Sequence, residues 1–450
     1  LKSVNGCWPE VRKGSSTPRS LIEWDKVRAL QFYQLLRQGA LIGIAVLLAK
    51  SPLAPEAIGE YEMLMYIGYV FTFFWVSGLI QGLLSLFPRH STADQGRLFF
   101  QSYLLFFALS AVLALGLLLL KGPVLRLMTG NAGLTQFELM LLFLFLHSPT
   151  FLLEHFLLLK DRPGEIAWLG LASFFLQIAA VIIPVFLGWG LQGIFAGLVL
   201  FAVVRHIWLL VFLGREGEWS FTSAFLRSWW VLSLPLVLYT LLGGFHQAFD
   251  NWLVGWHYRG DETQFALFRY GARELPLALA LANALGTGLL PQLSGDLQVG
   301  LSALRAKSRR LFHFLFPLSI ILMLSSYNWF PLVFSEAFLP SVPVFNLFLL
   351  IVISRLIFSR TILMALQDNQ VILWLSVLEL MLNIGLSLAL VGRMGLAGIA
   401  LGTVLATAID KVLLCLLLYY RHGVGLSHYV DLRWFTAYSA LLLLTFFYVS

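Results

Sequence analysis

Ionisable side chains stand inside long apolar stretches of this chain. In the second half they are Asp250, Arg269, Arg273, Glu274, Arg355, Glu379, Asp410 and Lys411; in the first half they are His147, Glu154, His155 and Arg205. A charge at the centre of a bilayer costs about 2.5–3.5 kcal/mol on insertion scales, so it is kept for an ion pair, an ion or proton pathway, or a charged substrate. Arg269, Arg273, Asp250, Glu274, Arg355 and Glu379 are therefore the candidate cavity or substrate residues. Arg205, Asp410 and Lys411 are candidates for charges satisfied within one lobe.

Depth decides which of these can meet. Asp250 lies near the end of an apolar run over 229–256, and Arg269 lies as far inside the next run, 263–291. On antiparallel neighbours they reach similar depth, which predicts an Asp250–Arg269 pair. A structural ion pair that fixes helix packing competes with a substrate role here. Arg273 follows Arg269 by four residues and so shares its helix face. Glu274 is turned about 100° away and is a poor direct partner for Arg273. Moving back 204 residues from Arg269 and Arg273 lands on Met65 and Tyr69, so the first half lacks these charges. Such asymmetry favours a role with substrate or coupling ion over architecture. His147, Glu154 and His155 read as a local hydrogen-bonded cluster, since their spacing is no metal-ligand signature. No phosphate-binding glycine loop or nucleophile elbow is present, so no catalytic residue, metal or cofactor is expected, and the chain is not read as an enzyme.

The elements that carry these residues follow from composition. Hydrophobic residues make up 59% of 450 and charged residues 12%, against about 25% charged in a soluble domain; mean hydropathy is +0.84. So few charges cannot cover a solvated surface. Apolar runs of about 20 residues match a hydrocarbon core and must be helical there. The runs predict an all-α integral membrane protein with about 12–13 spans: 29–49, 61–87, 98–120, 135–158, 165–187, 192–213, 229–256, 263–291, 311–330, 342–366, 370–391, 395–420 and 433–449. With the N-terminus inside, lysines and arginines concentrate on inner connections, above all at RAKSRR over 305–310. That bias accounts for the net charge of +7 without nucleic acid. The first 25 residues lack the apolar core of a signal peptide. Cys7 and Cys415 form no framework.

The sequence also repeats. Residues 190–197 read GLQGIFAG and residues 395–402 read GLAGIALG, 205 apart. Pro88 and Pro291, each expected to end a span, stand 203 apart, and Asp161 and Asp368 stand 207 apart. Arg205 and Asp410 fall at equivalent positions with opposite charge. The pattern predicts two homologous six-helix lobes, 29–213 and 229–420, related by an axis along the membrane normal. They lie between a cytoplasmic tail (1–28), an inter-lobe linker (214–228) and an extension (421–450) with one more helix whose end the sequence leaves open. Two lobes facing a cleft are the usual arrangement for alternating access.

From 231 the chain reads LSLPLVLYTLLGGFHQAFDNWLVGW, then FALFRYGARELPLALALANALGTGLLPQLS. This resembles the polysaccharide-transport flippases of the multidrug/oligosaccharidyl-lipid/polysaccharide (MOP) exporter superfamily. The matching positions are Pro235 and Asp250 in span seven and Phe265, Pro291 and Ser294 in span eight; 58–83 looks like the first-half counterpart. Asn251 departs from the basic residue common after the aspartate. The resemblance covers roughly 29–420. It implies a transporter of the inner (plasma) membrane that moves lipid-linked oligosaccharide, commonly on a polyprenyl pyrophosphate, between leaflets. It also implies coupling to H⁺ or Na⁺ in some members, and membrane lipids and polysaccharide polymerase machinery as partners. A cation-coupled drug or small-molecule exporter of the same superfamily is the alternative, set apart by an acidic and aromatic rather than basic cleft. A membrane-embedded enzyme acting on lipid-linked sugars is a third, set apart by charges converging on one outer pocket.

Overall fold

The computed structural model describes residues 26–87, 94–130, 133–221, 223–259 and 261–449, and among these every regular element is helical. The first half comprises α1 (Lys26–Ala49), α2 (Pro55–Leu86), α3 (Gln95–Leu119), α4 (Lys121–Thr129), α5 (Phe137–His147), α6 (Leu153–Leu159), α7 (Pro163–Phe186) and α8 (Gly190–Glu216). The second comprises α9 (Ser223–His257), α10 (Glu262–Gly271), α11 (Pro276–Gly295), α12 (Leu297–Leu324), α13 (Ser326–Val333), α14 (Val342–Leu349), α15 (Ile351–Arg355), α16 (Ser359–Ala365), α17 (Asn369–His422), α18 (Leu426–Tyr429) and α19 (Leu432–Val449). Among the described residues eleven helices are long and apolar enough to cross a membrane, or up to twelve if α12 and α13, bent by 81°, make one span. Within the longest, α17, two helices meet at Gly395. The protein is a multi-pass integral membrane protein, and large apolar side chains such as Phe175 and Phe186 stay on its exterior.

The two halves repeat each other in backbone detail. Gly190 and Gly395 both open their helices at positive φ, 60° and 58°, where a Cβ would clash. At the other end of each preceding helix pair, Asp161 (φ 58°) and Gln367 (φ 61°) are the non-glycine residues in the left-handed region. The backbone thus aligns Asp161 with Gln367, one residue earlier than the Asp161–Asp368 match read from sequence. The fourth span of each half is interrupted at the same place. In the first half a 3-10 segment, Ser148–Leu152, splits α5 from α6; in the second, α14, α15 and α16 replace a single helix.

Three boundaries differ from the sequence reading. Pro291 lies inside α11, which runs on to Gly295; its expected counterpart Pro88 lies outside the described residues. Helix α12 begins at Leu297, where the Asp296 carboxylate accepts from the Val299 N–H at 3.1 Å, so the basic RAKSRR stretch is helical rather than a loop. The expected continuous span over 263–291 is two helices, α10 and α11.

The halves meet chiefly along α2 and α9. Gly78 and Gly82 let α9 come close: a Cβ on Gly82 would stand 2.0 Å from Ser233 Oγ. Trp229 donates its indole N–H to Leu79 O at 2.9 Å. Towards the other end of the bundle Tyr66 donates to Ala248 O at 2.6 Å, and Tyr270 to Ala45 O at 2.9 Å.

Candidate substrate site

The break between α10 and α11 places two charges on non-helical backbone. Gly271 ends α10 against Ser341 O and Val344, which a Cβ would overlap at 2.6 and 2.8 Å. Pro276 opens α11 and forces Leu275 out of the helical region, to ψ 108°. Irregular backbone at membrane depth is tolerated where it lines a cavity or is buried in protein. Arg273 and Glu274 lie in this break. The Arg273 Nε–H donates to Arg269 O at 3.2 Å and its guanidinium lies 5.2 Å from the Tyr270 ring centre. Among the described residues Arg273 has no carboxylate partner.

The expected Asp250–Arg269 pair gives way to two other contacts. Arg269 Nε bonds Glu62 Oε2 at 3.2 Å, joining the halves. Asp250 accepts from Thr403 Oγ1 at 2.6 Å; Thr403 Oγ1 accepts from Asn383 Nδ2 at 3.3 Å, and Ser387 donates to Asn383 Oδ1 at 3.1 Å. Depth matching found helices at the right level but not their angular order. Glu62 was passed over because it stands two positions into its run, beside Glu56 and Glu60, and so reads as interfacial.

A second group of charges surrounds a cavity of about 270 Å³ between α11, α15, α16 and α17. Arg355, Arg360 and Lys411 line it with Asn283, Thr287 and Thr361. Arg355 Nη2 reaches both Glu274 oxygens at 2.5 Å. Arg360 Nη2 is shared between Glu379 at 2.7 Å and Asp410 at 3.1 Å. Lys411 has no hydrogen bond or ion pair of its own among the described residues. Arg360 is not among the sequence candidates, although it stands six residues inside its apolar run, as Asp250 and Arg269 do in theirs. The sequence-singled Glu274, Arg355, Glu379, Asp410 and Lys411 thus gather at one place; Asp250, and the Arg269–Arg273 pair, stand apart from it.

The opposite charges at Arg205 and Asp410 now have an explanation. Arg205 pairs with Glu154 at 3.1 Å, and also donates to Tyr33 Oη at 3.3 Å and Thr150 O at 3.2 Å. Glu154 and Arg360 are 206 residues apart, and Arg205 and Asp410 are 205 apart. Both halves therefore brace the same two spans with one ion pair whose polarity is exchanged. The same exchange recurs where these spans end. Arg162 bonds Glu216 in the first half, and Arg421 bonds Asp368 at 3.1 Å in the second. The first-half brace is sealed, with side chains 3% and 4% exposed, whereas Arg360 is 37% exposed to the cavity. His147 and His155 are held locally, by Thr150 Oγ1 at 3.3 Å and Phe151 O at 2.8 Å.

A family profile described as "Polysaccharide biosynthesis protein" matches residues 52–343. No curated protein matches the chain. Among solved structures, the lipid II flippase MurJ in an inward closed conformation is similar at TM-score 0.72 and 15% identity, over 94% of this chain and 91% of that one. An inward-facing multidrug resistance MATE family transporter of the MOP superfamily gives TM-score 0.57 at 15% identity, covering 90% and 96%. A MOP superfamily transporter from Pyrococcus furiosus gives 0.58 at 16%, covering 88% and 94%. At such identities the likeness establishes a shared MOP-type fold.

Proposed function

Because the chain belongs to the polysaccharide biosynthesis protein family, we propose that it flips lipid-linked oligosaccharide of the polyprenyl pyrophosphate type from the inner to the outer leaflet by alternating access. The N-terminus faces the cytoplasm, and the two lobes, 29–213 and 229–420, move against each other along α2 and α9. The observation that carries the reading is Arg273. It sits on the non-helical backbone between α10 and α11, with no carboxylate of its own among the described residues, where an anionic headgroup can receive its planar fork. The polyprenyl tail stays in lipid while the head crosses between the halves. The Asp250–Thr403–Asn383 chain supplies oxygens of the kind that take a coupling Na⁺ or proton.

The test is restoration of surface glycan in a strain lacking its own flippase. Arg273→Ala should lose at least about 90% of the rescue, and Arg273→Lys, which keeps the charge but not the fork, should retain part of it. Membrane insertion and expression are measured first. Full rescue by well-expressed Arg273→Ala removes this residue from the mechanism and favours a cation-coupled exporter.

A further inference from the structure

The second-half cavity differs from its first-half counterpart in ways that assign it a ligand. In the first half Tyr33 of α1 covers Arg205. The equivalent position in α9 is Leu238, which is 53% exposed, because α9 leans onto α2. The brace that is sealed in one half is thereby open in the other. Two charges have been added to it: Lys411 stands where the first half has His206, and Glu379 stands where the 206-residue offset of its segment places Ser173. His206 is held between Tyr103 Oη at 3.0 Å and Leu146 O at 2.9 Å, whereas Lys411 faces the cavity.

Around this space three cations, Arg355, Arg360 and Lys411, meet three carboxylates, Glu274, Glu379 and Asp410. Helices α11 and α14, packed beside them, carry no ionisable side chain. From α9 Asp250 is held by Thr403, about two turns from Asp410 along α17. The cavity is therefore charge-balanced as it stands. An oxyanion held by Lys411, Arg355 and Arg360 would add unbalanced negative charge in a low-dielectric place. Neutralising one carboxylate offsets one unit of that added charge. Asp410 belongs to the brace common to both halves. Glu274 stands at the more open break, with its side chain 29% exposed. Glu379, 13% exposed and without a first-half equivalent, is the surplus carboxylate.

We infer that this cavity binds a phosphate-type oxyanion together with one proton, and that Glu379 takes the proton. The inference rests on the reading that an anionic headgroup enters the protein, and it makes proton uptake part of loading rather than its opposite. The proton passes from water to a Glu379 oxygen as Arg360 turns from that oxygen to the anion; no bond of the anion changes.

The test uses sulfate, which stays doubly charged between pH 6 and 8, and the purified full chain in detergent. Binding is read as thermal stabilisation against sulfate concentration. Coupled uptake of one proton tightens the apparent Kd as pH falls, by up to about tenfold per unit. Glu379→Gln should bind sulfate with little pH dependence. Lys411→Arg, whose charge does not titrate in this range, should keep the dependence and so separates the carboxylate from the lysine. A wild-type Kd that is the same at pH 6 and 8 overturns the inference. So does dependence that survives in Glu379→Gln or vanishes in Lys411→Arg, and so does absence of sulfate binding. None of these results touches the Arg273 rescue assay, which decides the flippase reading by itself.

Discussion

Glu62 and Arg269 illustrate what a single contact across the halves does. Glu62 is 6% exposed, and its carboxylate is the partner that Arg269 has in place of Asp250. Without Glu62, Arg269 loses its carboxylate partner, and a charge left unpaired costs more than a missing pair. Glu62→Leu alone should therefore lower the thermal midpoint more than Glu62→Leu combined with Arg269→Met. Equal losses would mean that the pair contributes nothing beyond its separate side chains. At this scale the sequence showed which residues carry charge inside the membrane but not their partners. Partner choice depends on helix rotation, and rotation is set by packing. Gly271 against Ser341 and Val344, or Gly82 against Ser233, has no visible signature in an apolar run. Pro276 carries a legible signal for the break at Arg273, because proline disfavours helical backbone at the residue before it.

Between helices, the exchanged polarity of the braces is the most informative feature. Halves that repeat each other risk pairing a helix with its counterpart's partner. If α8 crossed against α16, Arg205 would meet Arg360; if α6 met α17, Glu154 would meet Asp410. Like charges in the membrane oppose both errors, so the exchange favours correct pairing by penalising the alternative. Arg205→Glu alone should cost about 3–5 kcal/mol, as expected when one partner of a buried pair is lost. Adding Glu154→Arg should recover most of the loss in thermal unfolding; a double variant no more stable than the single would contradict the brace. The glycine repeat and the 205-residue offset were readable because glycine at positive φ tolerates few substitutes. The ion-pair repeat was half-visible, as two opposite charges at equivalent places. It became intelligible only when Glu154 and Arg360 were seen to occupy the matching second position.

At the scale of the whole molecule, composition and span length sufficed for a multi-pass helical protein, because lipid permits little else. The closeness of α2 and α9 follows from small residues that allow close helix approach, and in the proposed mechanism these two helices are the surfaces along which the halves move. The central claim is that the movement carries a lipid-linked oligosaccharide across the bilayer. Its most direct measurement is reconstitution of the wild-type chain in vesicles holding a fluorescent oligosaccharide on a polyprenyl pyrophosphate, with a membrane-impermeant quencher outside. The account predicts that protein-containing vesicles equilibrate the lipid between leaflets much faster than protein-free ones, and that Arg273→Ala slows them towards the protein-free rate. Vesicles that hold inserted wild-type protein, yet exchange the lipid no faster than empty ones, would contradict it.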